Sequence, residues 1–269
     1  MSPELQFWLL LLLKMAVTAG FVVSATVVAE RAGPVVAAMI ATLPIAAGPA
    51  YVFVALHHDP SFVAQSALAS LVVNVATAVF ALVYAALAQR HGRAASVLPA
   101  LAVWLVLAAV VNTLPWTTLT AVILNAIGLP VCIAIGNRFR HVHVPPVRRR
   151  WTDLLVRAGM VAVLVALVVS ASEAVGPKVT GLLAVFPIVL SSLILILHPR
   201  IGGPATAAVL ANTLLGLAGF SLCCLTAHLL VTRVGTVTGL VAALLVAVAC
   251  NLVFWAFRRR SALAAASRA

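Results

Sequence analysis

Acidic residues are nearly absent from this chain: five Asp and Glu stand among 269 residues, against 17 Lys and Arg, for a net charge of +12. Charge of either sign is scarce at 8%, where soluble domains carry about 25%. A soluble fold could not cover a chain that is 64% apolar with so few charged side chains. No polar stretch is long enough for a soluble domain, which excludes most enzyme classes and every conventional nucleic-acid-binding module. A glycine-rich phosphate loop ending in Gly-Lys-Ser/Thr is also missing. The cysteines, Cys132, Cys223, Cys224 and Cys250, sit inside apolar runs without metal or haem spacing and read as small hydrophobes. No metal, cofactor or catalytic residue is expected, since no His/Asp/Glu cluster or nucleophile–base pair falls within an apolar run.

Apolar sequence is what the chain has. A spanning helix needs about 20 apolar residues, and the continuous, non-alternating runs exclude barrel strands. The runs predict an all-α polytopic membrane protein with nine helices: Leu5–Ala29, Pro34–Leu56, Ser61–Ala88, Ser96–Leu114, Thr117–Gly136, Thr152–Val175, Lys178–Leu197, Ala205–Val231 and Gly235–Phe257. The fourth and fifth share one apolar stretch, divided at Asn112-Thr113-Leu114-Pro115-Trp116, where proline beside polar residues favours a turn. The start, MSPELQ, has no basic residue before its apolar run, so the first run is expected to be a permanent helix.

The basic residues predict sidedness. Arg31, Arg90, Arg93, Arg138, Arg140, Arg148, Arg149, Arg150, Arg200, Arg258, Arg259, Arg260 and Arg268 fall on one side, and only Lys178 and Arg233 on the other. The basic side is expected to be cytoplasmic, with the N-terminus outside and the C-terminus inside. The basic loop Arg138–Arg150, with His141 and His143, then reads as a topology determinant. His57-His58-Asp59 reads as a solvated turn.

The chain also resembles itself at an offset of 143 positions. Leu11-Leu12-Leu13-Lys14 falls on Leu154-Leu155-Val156-Arg157, Glu30 on Glu173, Gly33-Pro34 on Gly176-Pro177 and Pro44-Ile45 on Pro187-Ile188. With small changes of offset, Leu68-Ala69 meets Leu210-Ala211, and Asn112 and Trp116 meet Asn251 and Trp255. This predicts a four-helix repeat over residues 1–116, a linking helix and basic loop over 117–150, a second repeat over 151–257 and a basic tail over 258–269. The odd linking helix turns the second repeat upside down, the arrangement of many secondary transporters.

Buried charge and broken helices supply the candidate site. Lys14, about nine residues into its helix, is expected near mid-bilayer, where a cation costs about 2.5 to 3.5 kcal/mol; Arg157 is shallower. Both are candidate cations for an anionic substrate. Glu30 and Glu173 are candidate coupling or gating carboxylates, in cross-repeat pairs Glu30–Arg157 and Glu173–Lys14. Pro44 and Pro187 interrupt matching helices, and such paired interruptions point to a transporter binding site. Asn74 and Asn212 add amide groups to its walls.

The elements Lys14, Glu30, Gly33-Pro34 and Leu43-Pro44, with Arg157, Glu173, Gly176-Pro177 and Phe186-Pro187 in the second copy, resemble the GlpM-like small inner-membrane proteins of bacteria. The resemblance spans about four-fifths of the chain as two copies. It implies a bacterial inner-membrane protein and supplies no catalytic residues.

These readings predict a secondary transporter or exporter of a small anionic solute or amphiphile, working by alternating access. Membrane lipids and a small-molecule solute are the expected partners, a membrane partner or homodimer stays open, and nucleic acid is not expected. The alternative is a non-transporting accessory subunit for envelope polysaccharide or lipid assembly. An intramembrane enzyme is the weakest option.

Overall fold

A computed structural model describes residues 2–31, 47–145, 147 and 150–266. All regular structure among them is helical: α1 (Pro3–Arg31), α2 (Ala47–Ala55), α3 (Pro60–Leu87), α4 (Arg93–Thr113), α5 (Thr118–Gly136), a 3-10 turn (Asn137–Phe139), α6 (Trp151–Ala184), α7 (Ile188–Val234) and α8 (Thr236–Ala266). Seven of these helices are long and apolar enough to cross a membrane. The chain is a helical membrane protein by that measure.

Local chemistry sets the helix ends. Asp59 caps α3: its carboxylate accepts from the Phe62 amide at 2.8 Å and from the Ser61 hydroxyl at 3.1 Å, with Pro60 in the first turn. Those bonds hold the Asp59 carboxyl below its ordinary value. Between α4 and α5, Thr117 and Thr120 cap each other's backbone amides, and the Trp116 indole donates to the Val111 carbonyl at 2.9 Å. Lys178 Nζ donates to the carbonyls of Asn112 and Leu114 at 3.3 and 3.2 Å, a cation against the carbonyl-rich end of α4.

Three expected spans form two continuous assignments. Helix α6 contains a corner at Gly176 (φ 71°, ψ 177°), and α7 contains another at Gly202 (φ 79°, ψ 168°). Only glycine adopts that region without strain, so one residue reverses the chain at each corner. The chain therefore runs along 151–175, back along 177–201, and returns along 203–234. The middle pass, expected over Lys178–Leu197 with an interruption at Pro187, is broken there, at Val185–Pro187, because Pro187 has no amide to continue the ladder.

Helix α3 is the hub. It is the most buried of the seven, whereas α1 is the least, and its most extensive contacts are with α7. Residues 203–234 lie antiparallel to it. Gly203 meets the Ala88 carbonyl, Asn74 donates to the Leu217 carbonyl at 2.9 Å, and His228 Nδ1 donates to the Ala64 carbonyl at 2.8 Å. The pass over 177–201 runs parallel to α3. Along it Ser70 donates to Gly181 O at 2.7 Å, Thr77 to Val185 O at 3.4 Å, and Tyr84 hydrogen-bonds His198 Nδ1 at 2.7 Å. These three hydroxyls recur every seven residues, so they share one face of α3.

One end of the bundle is basic. There Arg140 donates to the Ala211 carbonyl, and Arg200 makes a two-pronged ion pair with Asp153, their side chains 23% and 14% exposed. A partly buried bidentate pair is worth more than a surface one. A double-mutant cycle of Arg200→Met and Asp153→Asn, read by thermal unfolding, is expected to give a coupling of about 1 kcal/mol. Strict additivity would mean the pair contributes nothing.

Candidate functional site

The interruption at Val185–Pro187 forms the centre of the site. Before it the helix tightens, with Val185 and Phe186 amides donating to Leu182 and Leu183 carbonyls at 3.2 and 3.0 Å. The second half begins at Ile188, where Ser191 N donates to Pro187 O at 2.8 Å. Backbone released in this way is tolerated at membrane depth only inside protein or beside a cavity. Both conditions hold here. On one side Thr77 donates to the Val185 carbonyl, the Trp104 indole donates to Thr77 Oγ1 at 3.1 Å, and Trp104 meets Phe186 edge-on at 5.2 Å. On the other side lies a cavity of about 520 Å³. Its walls are Gly159, Val163 and Leu167 of α6 and Leu183, Phe186 and Ile188 of the broken pass, all apolar. Val163 and Leu167 are 49% and 60% exposed, so the cavity opens sideways onto the lipid-facing surface. Ser191 and Ser66 add buried hydroxyls without a hydrogen-bond partner among the described residues.

A second polar cluster joins three helices. Asn74 donates to Ser221 Oγ at 2.8 Å, Ser221 donates to Asn125 Oδ1 at 2.8 Å, and Asn125 donates to the Leu71 carbonyl at 2.8 Å. All three are buried and their bonds stay within the protein, apart from an unpartnered Asn74 Oδ1. They fasten α3, α5 and α7 together.

No family model, curated protein or solved structure matches this chain. The site therefore has to be read from its own chemistry.

The candidate residues from the sequence are spread over the molecule. Pro187 lies at the interruption, and Asn74 in the buried amide cluster. Asn212 is exposed and donates to its own helix at Ala208 O, 2.9 Å, away from that cluster. Pro44 lies outside the described residues, as does the side chain of Glu30. Lys14 is half-buried, and its Nζ donates to His57 Nε2 at 3.0 Å, while His57 Nδ1 donates to the Phe53 carbonyl at 2.9 Å. That pattern makes His57 the neutral tautomer with its lone pair on Lys14. Lys14 is thus level with the turn before α3, nearer the end of the bundle than the middle. The Glu173 carboxylate is close enough to act on its charge, but the direct bond is to His57. His58 donates to Ser172 Oγ at 2.8 Å and stacks on Phe62 at 3.8 Å.

Arg157 is half-buried and precedes Glu173 by 16 residues on α6, about 24 Å of helix. Lys14 and Arg157 therefore stand toward opposite ends of that pass. Sequence reasoning also missed His57, His58, Thr77, Trp104, Asn125 and Ser221. The spacing of Ser66, Ser70, Asn74 and Thr77, four polar residues along one helical stripe, was the signal for Thr77.

Proposed function

We propose that the chain is a secondary transporter or exporter moving a small anionic solute or amphiphile across a bacterial inner membrane, N-terminus outside and C-terminus cytoplasmic. The observation that carries this reading is the broken pass 177–201, an interrupted helix held mid-bundle beside a cavity, as in transporters built from discontinuous helices. On this reading nine spans form two inverted four-helix repeats, with α5 as the linking helix.

Two features support the inversion. Helix α3 corresponds by the 143-residue offset to residues 203–234, and the two pack antiparallel. Asn74 also bonds Leu217, the residue next to Gly216, its match under the offset that pairs Leu68-Ala69 with Leu210-Ala211. A residue bonded next to its own counterpart lies near the two-fold axis that would relate the copies. Glu173 and Lys14, drawn together at the turn with His57, serve as a coupling or gating group that exchanges partners as the halves rock; Glu30 and Arg157 are the matching pair.

The test uses purified protein in phosphatidylcholine vesicles under a proton gradient, with radiolabelled succinate and dodecyl phosphate as probes. Wild type is expected to move one of them. Lys14→Ala is expected to reduce that flux at least tenfold while eluting as the same monodisperse species. Absence of flux for both, with a stoichiometric membrane partner co-purifying, would instead support an accessory subunit for envelope polysaccharide or lipid assembly. The close packing of α3 on residues 203–234, with Gly203 against the Ala88 carbonyl, favours that second reading.

A further inference from the structure

The carrier reading leaves the substrate class open, and the cavity beside the broken pass narrows it. Every wall among the described residues is apolar, it stands at mid-depth of α6, and among those residues it opens laterally, past the exposed Val163 and Leu167. A hydrated solute would gain nothing in such a space, because no polar atom of the described residues lining it replaces its water. Hydrocarbon fits it. A methylene is about the size of a water molecule, whose share of liquid volume is about 30 Å³, so about 520 Å³ has room for a long alkyl chain.

The charge around the cavity fixes the orientation of that chain. Arg157 stands one turn to the basic side of Met160, and residues 157, 160 and 164 occupy successive turns of one face of α6. Met160 and Leu164 both line the cavity. In the opposite direction, α6 runs on past Ser170 and Ser172 to the end bearing Glu173. The cation that borders the slot itself is Arg157, whereas Lys14, at the far end, is already bonded to His57 beside the Glu173 carboxylate. A slot with a cation at its edge matches an amphiphile with one negative headgroup.

We propose that this cavity binds the tail of a single-chain anionic amphiphile, an alkyl carboxylate or phosphate, whose headgroup lies at Arg157. The assignment rests on the carrier reading for its role, and makes the amphiphile the transported substrate. Entry is sideways from the bilayer, past Val163 and Leu167. The broken pass forms the wall that moves when the tail enters or leaves, since Phe186 and Ile188 flank the interruption.

The experiment is photolabelling of the full chain in phosphatidylcholine nanodiscs. The probes are dodecyl phosphate and dodecanol, each carrying a terminal alkyl diazirine, with labelled peptides mapped by mass spectrometry. Dodecyl phosphate is expected to label residues 159–168 and 183–188 at least fivefold above other lipid-facing segments, and above dodecanol. Gly159→Leu projects a side chain into the cavity from a position whose Cβ meets nothing within 4 Å. It is expected to cut that labelling at least fivefold. Gly20→Leu, equally open but on α1, is expected to leave it unchanged. Arg157→Gln is expected to erase the preference for phosphate while sparing dodecanol labelling. Even labelling over lipid-facing positions such as Leu12, Leu105 and Ile127 would overturn the proposal, as would labelling indifferent to Gly159→Leu. Site labelling without vesicle flux would sink the carrier reading alone. Succinate flux without site labelling would sink this assignment alone.

Discussion

Gly203→Leu and Gly181→Leu are each expected to abolish recovery of folded, monodisperse protein. A Cβ on Gly203 would strike the Ala88 carbonyl, and one on Gly181 would strike the Ser66 carbonyl and come within 2.9 Å of Ala69 Cβ. The obstacles are backbone atoms of α3, the most buried helix, so no side chain can rotate aside to make room. Overpacking a core by a few methylenes costs about 1–3 kcal/mol, sometimes more, and these substitutions press on opposite ends of one helix. Alanine at either position is expected to lower the thermal unfolding midpoint and leucine to prevent folding. Gly159→Ala and Gly20→Ala provide the contrast, since both positions are open. They are expected to be neutral or to gain about 0.5–1 kcal/mol from helix propensity. A Gly203→Ala protein as stable as wild type would refute the backbone contact with Ala88.

Thr77→Val is expected to produce the largest local effect at the broken pass. The hydroxyl of Thr77 donates to Val185 O and accepts from Trp104 Nε1, so valine of the same shape orphans both groups. Each buried group left unpaired costs about 1–3 kcal/mol, and the surrounding lipid offers no replacement. Thr77→Ser keeps both bonds and is expected to stay near wild type. Trp104→Phe removes the indole donor while keeping a ring against Phe186, and is expected to fall between them. Hydrogen exchange over residues 182–190 is the discriminating measurement. Thr77→Val should accelerate it there while residues 71–76 of α3 keep their protection. Equal protection in mutant and wild type would show that Thr77 does not hold the interruption.

The helices were legible because their physics is local. Long apolar runs give spans, and Pro115 beside Asn112 and Thr113 marks the break that the structure has between Thr113 and Thr118. The corner at Gly176 stood in the sequence as Gly-Pro, though the positive φ at Gly202 had no such cue beyond its neighbours Gly203 and Pro204. Polar partnerships were not legible. Tyr84 finds His198, and Ser70 finds Gly181, across more than a hundred residues of chain, and no spacing rule links such pairs. Lys14 illustrates the same limit. Counting residues from the start of an apolar run gives its place along α1, but no count gives its partner, His57 on the turn before α3. Because His57 stands beside Asp59, the triplet resembled an ordinary wet turn, and its lone pair toward Lys14 emerged only with the fold.

The two glycine corners have a mechanical consequence for the segment between them. Gly176 and Gly202 tie each end of residues 177–201 to a neighbouring helix through a single residue, leaving no slack for sliding along the membrane normal. A beam pinned at both ends can only bow or roll, and its largest excursion falls midway, where the joint at Val185–Pro187 already makes it pliant. Displacement therefore concentrates at the one point where the beam borders both the tryptophan and the hydrocarbon-sized hollow.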